Sequence, residues 1–222
     1  MDWRAWHEGY EDPDSGLGHR LVLVQEQVRA ALDRVPAGPV RAISVCAGQG
    51  YDLIGALAEH LRRGDVSARL VELDEHNVLF ACRAASAAGL DGVEVLADDA
   101  SITDAYAGAV PADLVLMCGV FGNITADDIA NTIRHLPRLC APAATVIWTR
   151  HRQPPDLTPY IRQTFECQGF EEIYFDSEGS SPFGVGANRL IDPPQPFQEG
   201  IRLFEFIGYD ASGAVSTSAT PI

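Results

Sequence analysis

Two hydrophobic periodicities alternate along the chain. Leu17, Leu21, Val24, Val28, Ala31 and Val35 recur at helical spacing and predict an amphipathic helix, which Pro36-Ala37-Gly38-Pro39 ends. The apolar run Ala42-Ile43-Ser44-Val45-Cys46 is short and branched enough to be a buried parallel strand. Leu53–Leu61 then reads as a helix and Ala68–Leu73 as a second strand. Asp74-Glu75-His76-Asn77 opens a helix through Ala88, stopped by Gly89. Val93–Ala97 and Ala112–Cys118 are the next two strands. Thr125-Ala126-Asp127-Asp128 reads as a capping box for a helix carried by Ile129, Ile133 and Leu136. Ala144–Thr149 follows as strand five, Thr158-Pro159 starts a helix that Gly169 closes, and Phe170–Phe175 is strand six. A seventh strand is predicted over Ile201–Ile207.

Strands alternating with helices predict a parallel α/β sheet. The last link breaks that pattern. Between Phe175 and Ile201 there is no helical spacing, only the Gly-, Pro- and polar-rich stretch Ser177–Gly200. A parallel neighbour needs a crossover, usually a helix, so strand seven is expected to be antiparallel. The Ser177–Gly200 stretch is expected to act as a lid. A second lid is expected before the first helix, where Trp3, Trp6 and Tyr10 need something to pack on. The helix itself either lies across the mouth of a crevice or covers one sheet face. The whole chain, 1–222, reads as one domain: an N-terminal lid and helix (1–39), a core (40–208) and a Ser/Thr/Ala-rich tail (209–222) expected to fray.

Composition narrows the partners. A net charge of −15 over 222 residues argues against nucleic acid and anionic membrane surfaces and favours a small or cationic ligand. Cys46, Cys82, Cys118, Cys140 and Cys167 are odd in number, form no C-x-x-C and sit in apolar stretches, which reads as reduced core cysteine in a cytoplasmic protein. No apolar run is long enough to span a bilayer, and no membrane partner is expected.

The chemistry gathers where strand one meets its helix, in RAISVCAGQGYD (41–52). Gly48 and Gly50 let the backbone reach positive φ and approach a ligand. A lone G-x-G marks any tight βα turn. The place of the third glycine in the dinucleotide fingerprint is Leu53, so that motif is broken. Acids stand at the ends of the next two strands, Glu72 in LVELDEHNV and Asp98-Asp99 in ADDAS, and no phosphate-binding lysine accompanies them.

With these residues in register, the chain over 40–208 resembles the class I S-adenosylmethionine (SAM)-dependent methyltransferases. The resemblance implies an α/β, Rossmann-like seven-stranded sheet, mostly parallel with an antiparallel strand 7, helices on both faces and an N-terminal helical lid. It implies SAM as cofactor. In that family the loop after strand one cradles the methionine part of SAM, which here falls on Cys46, Ala47, Gly48, Gln49 and Gly50. The acid of strand two, which holds the ribose hydroxyls, falls on Glu72, followed by Leu73. The acid that contacts the adenine amino group falls on Asp99, with Asp98 as alternative and Ala100 beside it. CGVFGNIT, beginning at Cys118 and Gly119, resembles the segment beside the transferring methyl. Ser44 and Cys46 stand where the family's first motif has aspartate and its first glycine. Asp52 then either takes over an amino-group contact or caps its helix.

The implied reaction is methyl transfer from SAM to a small-molecule acceptor, with O, N and C acceptors all open. Asn123 either orients the acceptor or is a turn residue before Thr125, and His151 is either a general base or a solvated loop histidine. His7, Tyr10 and His19 are further candidates, and His19 and Arg20 sit where they could reach the SAM carboxylate. Two other readings stay open: an NAD-dependent oxidoreductase, and a non-catalytic SAM- or nucleotide-binding protein of the same fold.

Overall fold

The computed structural model describes residues 15–176 and 181–207. The expected lid residues Trp3, Trp6, His7 and Tyr10, and the tail from 209, lie outside the described residues.

The first helix, α1 (Gly16–Arg34), starts at Ser15, whose hydroxyl accepts from the Gly18 amide. It buries Val24, Val28 and Leu32 on a sheet face beside α2 (Tyr51–Leu57). Gln25 of this helix donates through Nε2 to the Tyr51 carbonyl at the start of α2 at 2.9 Å. Arg62 closes the turn into β1 (Val40–Val45), donating to the carbonyls of Leu32, Val35, Pro36 and Gly38 at 2.5–3.0 Å. After α2 come β2 (Val66–Glu72), α3 (Glu75–Ala87), β3 (Val93–Ala97), β4 (Ala112–Met117), α4 (Ala126–His135), β5 (Cys140–His151), α5 (Thr158–Cys167), β6 (Phe170–Phe175) and β7 (Phe183–Leu190).

The sheet order is β3-β2-β1-β4-β5-β7-β6. Strands β1 to β5 pair in parallel, and β7 runs antiparallel to both β5 and β6. Successive side chains alternate between two cores. In β4, Leu114 and Leu116 face α1, α2 and α3, whereas Val115 and Met117 face α4 and α5. Because β1 to β5 are parallel, their carboxyl ends and the loops that follow collect along one edge, the ligand edge of an open α/β sheet.

The mostly parallel seven-stranded sheet, the helices on both faces and the antiparallel seventh strand are as expected. The first helix, α1, covers a sheet face, and of the cysteines expected in the core Cys82 and Cys167 are exposed. The position of the seventh strand also differs from the expectation. The strand is Phe183–Leu190, inside the stretch expected to be a lid. Its signal is masked by glycines, which strands usually lack. Here packing demands them. A Cβ on Gly186 would lie 2.3 Å from the Trp148 ring, and one on Gly184 2.8 Å from Thr158. The Trp148 indole also donates to Asn188 Oδ1 at 2.8 Å.

Ile201–Ile207 makes only single bridges, Ile102 with Arg202 and Ile124 with Phe206. Two successive side chains, Leu203 and Phe204, are buried, which a half-buried strand does not do. The segment is a strap across the β3–β4 crossover, where the chain forms only a 3₁₀ turn, Thr103–Tyr106. Leu203 donates to the Ser101 carbonyl at 2.7 Å, and Thr132 Oγ1 to the Leu203 carbonyl at 2.9 Å.

Candidate active site

The loop after β1 carries three left-handed residues: Cys46 (φ 51°), Gly48 (φ 56°) and Gly50 (φ 79°). Cys46 takes a backbone conformation more usual for glycine, which L-residues adopt at a cost. Ala47 donates to the Val71 carbonyl at 3.0 Å and Gly50 to the Ala47 carbonyl at 2.9 Å, which fixes the turn. Gly50 is also the residue preceding α2. Gln49 is buried and reaches Asn77 Oδ1 at 3.4 Å.

At the end of β2, Glu72 turns back onto this loop. Its Oε2 accepts from the Gly48 amide at 2.7 Å and its Oε1 from the Asp74 amide at 2.9 Å. Asp74 in turn caps α3 through the His76 and Asn77 amides. Leu73, between these two acids, is 64% exposed, an apolar side chain held at the crevice edge.

At the end of β3, Asp98 accepts from the Asp99 amide, and Asp99 Oδ1 accepts from the Ser101 amide at 2.9 Å and hydroxyl at 2.6 Å. Ala100 is buried, and its carbonyl accepts from the Tyr106 hydroxyl at 2.7 Å. The charges of these acids converge. The Cys46 thiol is pushed well up, first by burial and then by Glu72 and Asp99. Burial, Cys46, Asp99 and Asp98 do the same to Tyr106.

The ends of β4 and β5 are organised by side chains instead. Arg20, only 3% exposed, donates to Thr149 Oγ1 at 3.2 Å and pairs with Asp52 Oδ1 at 3.4 Å. The same Thr149 oxygen accepts from the Gly119 amide at 2.9 Å. Burial raises the Cys118 thiol well above its usual range; the charge of Asp52 and a hydrogen bond to it add to the effect, against Arg20. Asp52 therefore acts here as the partner of Arg20, while Gly50 occupies the cap position of α2.

Asn123 is a turn residue in this structure. Its Nδ2 donates to the Gly119 carbonyl at 2.7 Å and its backbone N–H to Val120 at 2.9 Å, and its carbonyl accepts from Ile207 at 2.9 Å. His151 is not in a solvated loop. It is the last residue of β5, paired with Phe183. Its Nε2 lies 3.3 Å from the Gly122 carbonyl and its Nδ1 is buried without a hydrogen-bond partner among the described residues. Burial and then the Arg150 charge lower its pKa, so the ring is neutral at pH 7. The sequence reading missed Arg150, whose Nε donates to the Phe121 carbonyl at 3.1 Å, and also Thr149, Ser101 and Arg202. The signal for the first two was available: charged and hydroxyl residues inside the apolar run of β5.

Two surface concavities lie away from this edge, at the starts of the strands. One of about 380 Å³ is lined by Arg138, Cys140, Pro194 and Phe197, and one of about 140 Å³ by Arg41, Arg69 and Glu94. Neither touches the strand-end acids. No described helix is long and apolar enough to cross a membrane.

No protein-family model and no curated protein matches the chain. Solved structures do. Magnesium protoporphyrin IX methyltransferase from Synechocystis PCC 6803, a structure with bound SAM, superposes with TM-score 0.61 at 15% identity, over 85% of this chain and 91% of that one. An O-methyltransferase family protein from Burkholderia thailandensis gives 0.57 at 16% identity over 87% of this chain, which spans 63% of that protein's length. An rRNA methylase from Streptococcus thermophilus gives 0.57 at 13% identity, over 75% of this chain and 95% of that one. By sheet order, the antiparallel β7 and these superpositions, the chain has the Rossmann-like fold of the class I SAM-dependent methyltransferases.

Proposed function

We propose that the chain is a SAM-dependent methyltransferase acting on a small-molecule acceptor. The observation that carries this reading is Glu72. Both its oxygens are held by backbone amides, one of them from the glycine loop of the neighbouring strand. Each oxygen retains a lone pair for a vicinal ribose hydroxyl. The donor set fits SAM. It offers carboxylates and a left-handed loop but no phosphate-binding lysine, and a sulfonium cofactor has no phosphates.

In this reading Cys46, Ala47, Gly48, Gln49 and Gly50 cradle the methionine part, with Asp52 and Arg20 at its charged end. Glu72 and Leu73 take the ribose, and Asp99 and Ala100 the adenine, with Asp98 holding the Asp99 amide. Cys118 and Gly119 line the methyl side. When bound, SAM supplies an electrophilic methyl that an acceptor nucleophile displaces in line. The residues' contribution is orientation and exclusion of water. His151 and Asn123 lie at the acceptor side, where the neutral His151 ring donates through Nε2 to the Gly122 carbonyl and Asn123 shapes the turn facing it. The strongly acidic chain favours a small acceptor over a polyanion.

Isothermal titration with SAM, S-adenosylhomocysteine and NAD tests the cofactor. Micromolar binding of both adenosyl ligands and none of NAD is expected. Binding of NAD alone would replace this reading with the oxidoreductase, and binding of none, by protein free of co-purified ligand, with the non-catalytic protein.

A further inference from the structure

The strap that replaces the expected seventh strand carries one cation onto the cofactor edge. Arg202 Nη1 donates to Ser101 Oγ at 2.9 Å and lies 3.7 Å from Asp99 Oδ2. A serine hydroxyl has a single proton. With Arg202 donating to the oxygen, that proton goes to Asp99 Oδ1, at 2.6 Å. Oδ1 also accepts from the Ser101 amide, so it is filled by two donors from Ser101, and Oδ2, 3.7 Å from Arg202, is the oxygen left to accept from a ligand. Arg202 is itself held: its backbone bridges Ile102, and its Nε lies 3.8 Å from Glu205.

We infer that Arg202 is a positioning residue for the purine: through Ser101 it orients an ionised Asp99 so that the crevice takes a 6-aminopurine and rejects a 6-oxopurine. The inference rests on the reading of Asp99 as the adenine acid. An ionised carboxylate only accepts. An exocyclic amine donates to it, whereas a 6-oxo oxygen would face it as a second acceptor. Arg202 fixes the directional chain from guanidinium to hydroxyl to carboxylate. No residue of the core strands supplies this cation; the strap does.

The test is calorimetric titration of the full chain with S-adenosylhomocysteine and with S-inosylhomocysteine, which has oxygen in place of the amino group. The natural sequence should prefer the adenosyl ligand. Arg202→Gln should narrow that preference by roughly three- to fivefold, the scale of a half-exposed charged contact. Arg202→Lys should restore part of it, with thermal midpoints reporting that each variant is folded. If Arg202→Gln weakens both ligands equally, or changes neither, Arg202 has no part in purine selection. If the natural sequence binds S-adenosylhomocysteine without preferring it, the inference fails while the methyltransferase reading stands. If it binds neither ligand, both fail.

Discussion

The two halves of the ligand edge are built in different ways. Along β1, β2 and β3 the functional groups are fixed by backbone close in sequence: Asp74 amide to Glu72, Asp99 amide to Asp98, Ser101 amide to Asp99. The longer links are those from the Gly48 amide to Glu72 and from Gln49 to Asn77, which join adjacent strand ends, and the one from Arg202 of the strap to Ser101. Along β4 and β5 the fixing groups are side chains from distant parts of the chain, with Arg20 of the first helix meeting Thr149 and Asp52, and Arg150 meeting the Phe121 carbonyl. The first half can bind a ligand of fixed structure through rigid turns. The second depends on an N-terminal helix being docked, which couples its geometry to the stability of that contact.

The largest way to break the contrast is to remove Arg20. Arg20→Met leaves the Asp52 carboxylate, 16% exposed, without its cation. Breaking such a buried pair costs about 3 kcal/mol or more. Urea unfolding should show that loss, and Arg20→Met combined with Asp52→Asn should recover part of it. A loss below about 0.5 kcal/mol would make this an ordinary surface pair, and the two halves would not differ.

The cofactor half is probed by Glu72→Gln. Both oxygens accept from backbone N–H groups. An amide offers only one oxygen, so its NH₂ must face a donor. Affinity for S-adenosylhomocysteine should fall by about 2 kcal/mol, the scale of a hydrogen bond to a charged group. Unchanged affinity would remove Glu72 from the ribose site.

A smaller effect is expected from pH. Burial lowers the pKa of His151 in the folded chain. Below the ordinary histidine value of about 6.5 the unfolded chain therefore binds a proton that the folded chain does not. Stability contributed by the neutral ring is present above that pH and is lost as pH falls from there through the folded pKa. His151→Phe should flatten the fall in urea midpoint over this window. An unchanged slope would mean that the ring titrates as if exposed, contrary to its place at the end of β5.

What the sequence made legible follows the same division. The glycine turn and the strand-end acids announce themselves within a few residues, as do the caps at Asp74 and Thr125. The β7 strand did not, because Gly184 and Gly186 make sense only against Thr158 and Trp148, which the fold brings to them. The strap has the composition of a strand over Ile201–Ile207, and only the adjacent burial of Leu203 and Phe204 separates the two. The pairing of Arg20 with Asp52 had no local pattern at all. Asp52 looked like a helix cap because it follows the loop, but Gly50 holds that position.

The finest comparison is within the glycine loop. Cys46 and Gly48 have nearly the same φ, 51° and 56°, yet only one of them is glycine. The left-handed conformation costs an L-residue about 1–2 kcal/mol. Glycine removes that cost but loses about 0.5–1 kcal/mol more entropy on folding. Cys46 also packs partly against the core formed by Ile43 and Val45, and Cys46→Gly gives that contact up. The three terms nearly cancel, so Cys46→Gly should change stability by no more than about 1 kcal/mol in either direction. It should also leave affinity for S-adenosylhomocysteine within about twofold, because the backbone path of the loop is already the one glycine would take. Urea unfolding and titration of the same preparation check both. A gain well above 1 kcal/mol would mean that Cys46 stores strain in the loop. A large loss of affinity with stability intact would mean that the thiol itself, and not only the left-handed turn, meets the ligand.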